Sequence, residues 1–455
     1  MTDDPPDRVN GSPFHSFWMG GFEGADHRNR FGTPLDMACA SGHLEHLDAD
    51  YAGAAERGLG GVRESVGWRI SEPAPSRHDF GRVQTMARAG RRHGLQIVWT
   101  LMHYGTPADV DLHDDRFIDR FAAFAAAAAR AIGPLSEAPP VYNPINEIGF
   151  LAWAVAETSR IHPYRPDLRA GARYLQDGNS LASGYAVKRR LVAGVLAAID
   201  AIRQVDARAR FLHVEPVVHV VAPTGQPELA ELAQAVRDYQ WHAWDLIAGR
   251  EAPELGGSMA ALDCVGINHY HDGQWEVVTE KRLSWHERDP RRRSLSALLG
   301  DVWQRYGRPM MIAETGHFGS GRAQWIDEAA AQVALAREAG VPVEALCLYP
   351  LVDRPDWDDP AHWHHSGLWD MHAAPASRAR TLAADYAAAI ARWQGSLPVA
   401  DAITAQPRLL PNRSRNRSPR RSRASSSRRR TGCRRIGARC ARPTRSVRCC
   451  NARRR

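Results

Sequence analysis

The chain has 455 residues, 44% apolar and 24% charged, ordinary values for a globular protein with room for a large core. No apolar run approaches the roughly 18 residues of a membrane span, and the start, MTDDPPDRVNGSPF, lacks the basic and apolar regions of a secretory signal, so a cytoplasmic location is expected. The formal charge of +8 is split: residues 402–455 hold nineteen of the 59 basic residues and no Asp or Glu, leaving 40 basic against 51 acidic in the body, which gives that body no electrostatic case for nucleic acid.

Residues 1–13 read as a disordered N-terminus. From residue 14 short β-rich apolar runs alternate with longer amphipathic stretches. A first strand is expected at FWMGGF (17–22), then a helix near 44–58. A second strand at GGVRESVGW (60–68) precedes a helix near 80–93, and a third at LQIVWTLMHY (95–104) precedes one near 115–132. The fourth strand is VYNPINEI (141–148), with a helix near 180–204. The fifth is RFLHVEPVVHVV (210–221), with a helix near 226–249, and the sixth LDCVGINHY (262–270), with one near 294–306. PMMIAETG (309–316) and VEALCLYPLV (343–352) complete the set, with helices near 323–339 and 376–394. Strands apolar on both faces that alternate with helices indicate a parallel sheet. Eight units over about 390 residues predict an α/β fold, a (β/α)8 TIM barrel with long βα loops, spanning residues 14–396. A doubly wound sheet is the competing architecture, but it would usually show a Gly-rich phosphate turn, and no GxGxxG is present.

A barrel places its active residues at the C-terminal ends of strands. Glu23, Arg63, His103, Asn146, Glu147, Glu215, Asn268, His269, Tyr270, Glu314 and Asp353 all fall at or just past such ends. Glu147 and Glu314 stand out, because both follow apolar runs. Two carboxyl groups across a cleft are the working parts of glycoside hydrolysis: one protonated to donate to the leaving oxygen, one ionised to attack or to activate water. Each alone could equally be the ion-pair partner of a loop arginine. Glu215 is a third strand-end glutamate and could replace Glu147 in the pair. Trp153, Trp357 or Trp363 are candidate sugar platforms, and Trp99 belongs to the wall.

The motifs resemble those of clan A retaining glycosidases, and most of all glycoside hydrolase family 1, the β-glucosidase-like group. NE after strand four and ETG after strand seven are similar to that clan's signature. FEGAD (22–26) resembles the family's IEGA, VRESVGWRISEP (62–73) its RFSisWsRi, and TLMHYGTP (100–107) its TLxHWDLP. VGINHY (265–270) resembles GINYY, and HHSGLWD (364–370) resembles RFGLVYVD. The matches keep the family's order from residue 14 to about 394. The resemblance implies a retaining β-glycosidase with Glu147 as acid/base and Glu314 as nucleophile. It implies Asn146 as the partner of the sugar 2-hydroxyl, His103 as a sugar contact, and Arg63 and Tyr270 as groups that orient Glu314. Glu23 is half of the family's strand-one Gln–Glu pair. The family's strand-eight Trp and sugar-binding Glu are unmatched in YPLVDRPDWDDP (349–360), where Tyr349, Asp353, Asp356 and Trp357 are candidate substitutes. The Ser/Lys pattern of 6-phospho-glycosidases is absent.

The substrate expected is a small carbohydrate or glycoside, with no cofactor and no metal: HWHH (362–365) lacks any HExxH or Cys/His ligand spacing. Cys39, Cys264 and Cys347 are far apart in the body, as in a reducing compartment. The tail, 397–455, has no hydrophobic period and reads as a basic, disordered Arg-rich segment. It could be a nucleic-acid arm, a membrane-surface anchor or an out-of-frame extension of a GC-rich gene. The loss of every acidic residue after Asp401, with four further cysteines, favours the last. Two other functions compete with hydrolysis, a barrel that binds carbohydrate without cleaving it and a nucleic-acid-associated protein acting through the tail.

Overall fold

The computed structural model describes residues 12–164, 181–371 and 379–397. Residues 1–11 and the Arg-rich tail from residue 398 onward lie outside the described residues. Eight parallel strands close a barrel in chain order: β1 (Trp18–Gly21), β2 (Gly61–Ser65), β3 (Gln96–Met102), β4 (Val141–Ile145), β5 (Arg210–Pro216), β6 (Cys264–Asn268), β7 (Met310–Thr315) and β8 (Val343–Leu348). Helices His43–Glu56, Gly81–Arg92, Arg116–Ile132, Leu181–Val205, Leu295–Tyr306, Arg322–Glu338 and Ala384–Gln394 fall where the periodicity puts them.

Three elements differ from expectation. The stretch expected as one helix near 226–249 is broken into Ala230–Asp238 and His242–Ile247, with a 3-10 turn, Tyr239–Trp241, between them. The long fifth run ends at Pro216, whose ring cannot donate to a ladder. Its remainder, His219–Val221, pairs with Gln274–Glu276 outside the barrel. The apolar residues after Glu147 form a helix of their own, Ile148–Ala156.

Strand parity builds two cores. One set of alternating residues turns into the lumen, where Met19, Val98, Val141, Leu212, Val214, Cys264, Met311, Ala313, Ala345 and Cys347 pack together with Phe14. The other set packs under the helices in the larger apolar layer. Helix Arg116–Ile132 shows why it lies there: Phe117, Phe121, Phe124 and Ala128 recur at helical spacing and are all buried. Gly194 lets the next helix approach it, since a Cβ there would lie 2.5 Å from the Phe117 ring. Arg380 ties the end of the fold to its beginning: its guanidinium pairs with Asp50, whose other partner, His43, also bonds Glu64 on β2. Among the described residues no helix is long and apolar enough to cross a membrane.

Candidate active site

Lumen-facing parity puts Arg63 of β2 beside Val98 of β3, above the apolar floor. Glu314 reaches the same space by an irregularity. Met311 and Ala313 already face the lumen, so Glu314 should face out. Against β6, however, Ile267 pairs with Ile312 and Asn268 with Glu314, and against β8 Leu346 pairs with Ile312 and Leu348 with Thr315. β7 therefore carries one extra residue, a bulge that re-aims the side chain inward.

The two carboxyl groups have opposite surroundings. Glu314 Oε1 accepts from Arg63 Nη1 at 2.9 Å and its Oε2 from the Tyr270 hydroxyl at 2.7 Å, a pair of donors suited to an ionised carboxylate. Burial alone would lower Arg63, but its surroundings, Glu314 foremost, outweigh that and hold the guanidinium charged. Glu147 is pushed up to about 7, first by burial and then by the negative charge of Glu314. Asn268 Nδ2 at 2.7 Å and the Tyr104 hydroxyl at 2.6 Å donate to its two oxygens and work in the other direction. One carboxyl is set up to hold a proton near neutrality, and the other accepts from two donors.

Asn146 is fully buried and links the halves. Its Oδ1 accepts from Arg63 Nη2 at 3.1 Å, and its Nδ2 donates to the Tyr104 hydroxyl at 3.0 Å and faces His103 Nε2 at 3.4 Å. It does not cap the following helix, whose N-cap position is Glu147. His103 is driven down to about 4 by burial, is neutral, and meets the Ser65 hydroxyl through Nδ1 at 3.1 Å.

Glu23 lies at the edge of this group. Its Oε1 accepts the Ala25 N–H at 3.0 Å, and its Oε2 pairs with Arg354 Nε at 3.1 Å. Trp357 stands over the same side. Its ring meets the edges of His27 at 4.7 Å and Tyr104 at 5.8 Å, and its buried Nε1 has no partner among the described residues. Trp153 lies farther along helix Ile148–Ala156, against Phe150 and beneath Arg160. Phe150 in turn touches both Tyr104 and Trp357, which links Trp153 to the site. Trp363 is half-buried and pairs through its backbone with Pro355. Trp99 is buried in the wall.

Glu215 is not part of the pair. Leu212 and Val214 take the lumen positions of β5, so Glu215 faces outward and bonds the Gly149 amide. Three residues that hold the site, Tyr104, Asn268 and Arg354, carried no individual sequence signal beyond their place at strand ends. Of the HWHH histidines, His362 and His364 meet edge to face with ring centres 5.1 Å apart and His364 pairs with Asp356 at 3.1 Å, while His365 lies 3.7 Å from Asp353. Asp353, His365 and Asp370 form one trio of metal-ligand type among the described residues, but Arg322 already grips Asp370 through both nitrogens. A shallow surface cleft at the other end of the barrel, lined by His15, Arg91, Gln96 and Glu137, contains no carboxylate pair.

No family model and no curated protein matches the chain in sequence. Solved structures do match it in shape. The β-glycosidase from the hyperthermophile Thermosphaera aggregans is 15% identical, covering 84% of this chain and 96% of its own, with a TM-score of 0.66. A rice β-glucosidase mutant in a covalent complex with Glc is 17% identical, covering 83% and 97%, with a TM-score of 0.65. The β-glycosidase BGL167 is 19% identical, covering 85% and 99%, with a TM-score of 0.63. At these identities the likeness is one of fold, and by its fold the chain is a (β/α)8 barrel of the kind those β-glycosidases have.

Proposed function

We propose that the chain is a retaining β-glycosidase, β-glucosidase-like, acting on small glycosides by double displacement. The observation that carries the reading is the contrast between the two carboxyl groups. Arg63 and Tyr270 bond both oxygens of Glu314, while burial and Glu314 itself push Glu147 up to about 7. Glu147 then donates its proton to the glycosidic oxygen as Glu314 attacks the anomeric carbon. The bond to the leaving group breaks and a covalent glycosyl-enzyme forms. In the second step Glu147, now ionised, takes a proton from water, which attacks the same carbon and releases Glu314. Asn146 bonds the sugar 2-hydroxyl in this reading. His103, Glu23, Trp357 and, at greater remove, Trp153 contact the substrate, and Arg63 and Tyr270 orient the nucleophile. The likeness in fold to β-glycosidases, one of them a rice β-glucosidase mutant in a covalent complex with Glc, supports this assignment. A cytoplasmic location accords with the wide spacing of Cys39, Cys264 and Cys347 along the body.

The experiment is a 2-deoxy-2-fluoro-β-glycoside trap followed by peptide mapping, with NMR of the first-formed sugar from an aryl β-glycoside. Label on Glu314 and retained configuration are expected. Label elsewhere, or an inverted product, overturns the reading.

A further inference from the structure

The buried charges behind Glu147 have no role in the chemistry above, yet they are built around it. Glu215 is 2% exposed and turned toward the nine-residue helix Ile148–Ala156. Its Oε2 and Oε1 accept the Gly149 N–H at 2.9 and 3.2 Å. The preceding residue, Val214, accepts the Glu147 N–H through its carbonyl at 2.9 Å. Two successive residues of β5 thus hold the backbone on both sides of the Glu147 side chain. The helix has no side-chain cap of its own, so its leading amides depend on such a partner. A carboxylate there also suits the positive end of the helix dipole. Gly149 makes room for it, because a Cβ at that position would lie 2.6 Å from Glu215 Oε2.

The backbone at Glu147 needs holding. It sits in the left-handed region, at φ 46° and ψ 65°, a conformation that is strained for a residue with a Cβ and persists only where its surroundings fix it. Behind Glu215 lies Lys188, fully buried, its Nζ donating to the Tyr239 carbonyl at 2.9 Å and resting 3.3 Å from the centre of the Tyr239 ring. Burial pushes Glu215 up to about 8, and Lys188 and the Gly149 and Ile148 amides act against it.

We propose that Glu215 is a positioning residue for Glu147. It clamps the first turn of the helix that begins at Glu147 and fixes the left-handed backbone that aims the acid. This rests on the reading of Glu147 as acid/base. Within the barrel Glu147 faces Tyr104, Asn268, Glu314, Arg63 and Tyr270, and Glu215 lies behind it. Glu215 faces Lys188, with Glu157 and Glu251 beyond.

Glu215→Leu keeps the size and removes the acceptor of the Gly149 N–H. In this variant kcat/KM for an unactivated alkyl β-glycoside is expected to fall about tenfold or more, and that for a dinitrophenyl β-glycoside by less than about threefold, because proton donation matters least for an acidic leaving group. Glu215→Gln keeps an acceptor for that N–H and is expected to recover most of the loss. Gly149→Ala puts a Cβ against Glu215 Oε2 and is expected to give the same split, so it carries the comparison if Glu215→Leu does not fold. Equal losses on both substrates in a variant that melts like the parent overturn the proposal, as does a Glu215→Gln variant that loses as much as Glu215→Leu. Glu147→Gln run in parallel separates the two failures. If it shows the leaving-group split and Glu215→Leu does not, only the positioning role falls; if Glu147→Gln itself shows none, the acid/base reading falls.

Discussion

Tyr104 donates to Glu147 at 2.6 Å and accepts from Asn146 at 3.0 Å, so one phenol joins the two side chains that follow β4. Its own backbone is left-handed, at φ 75°, and burial keeps the hydroxyl protonated. A donor of this kind stabilises the ionised form of Glu147. Tyr104→Phe should therefore raise the Glu147 pKa and move the alkaline limb of kcat/KM upward by about one pH unit, the equivalent of a hydrogen bond worth roughly 1.5 kcal/mol to a charged group. A pH profile on an aryl β-glycoside checks it. A downward shift would mean that the phenol accepts from a protonated Glu147.

Glu147 also ties activity to stability. Its carboxyl titrates near 4.5 when unperturbed and at about 7 in the fold. Below the lower value both states are protonated and the site costs nothing. Between the two values the unfolded chain loses its proton first, so stability falls as pH rises. Above the upper value the whole cost remains, at most about 3 kcal/mol. Glu147→Gln is expected to abolish general-acid catalysis and to raise Tm by a few degrees at pH 8, with little gain at pH 4. Calorimetry at both pH values decides it, and equal gains would show that the carboxyl is not the source.

Arg63 is 2% exposed and its fork serves three acceptors, the Ala313 carbonyl, Glu314 and Asn146. Arg63→Met should leave Glu314 buried without its cation, costing about 3–5 kcal/mol of stability, and should reduce kcat by more than about a thousandfold as the nucleophile takes up a proton. Arg63→Lys restores the charge without the fork and is expected to recover the Tm better than the rate. Denaturant melts beside initial rates test the pair. Full recovery of the rate by lysine would reduce the role of Arg63 to charge alone.

The final described helix, Ala384–Gln394, is anchored by Trp393 Nε1, which donates to Asp327 at 2.8 Å, and Leu397 beyond it is buried. A chain ending at Leu397 keeps every described element. We expect it to melt within a few degrees of the full chain and to retain glycosidase activity. A large loss of either would assign the Arg-rich tail a structural or catalytic part.

What the sequence determines here is the periodic part. Eight apolar runs of strand length, each followed by a helix-forming stretch, specify an α/β barrel, because strands covered on both faces and joined by helices close most simply that way. Placing Glu147 and Glu314 at strand ends follows from the same counting. Facing is another matter. A strand apolar on both sides gives no sign of which alternate residues enter the lumen, and that left Glu215 a rival of Glu147 until the register with β6 turned it outward. The reversal at Glu314 comes from one extra residue in β7, set by pairing with two strands distant in the chain. The partners Tyr104, Asn268 and Arg354 meet their carboxylates from 43, 121 and 331 positions away. Such contacts leave no local period, and only closure of the barrel brings them together. The left-handed turn at Glu147 belongs to the same class. Nothing in NEIGF requires it, and it exists because β5 supplies a carbonyl and a carboxylate to hold it.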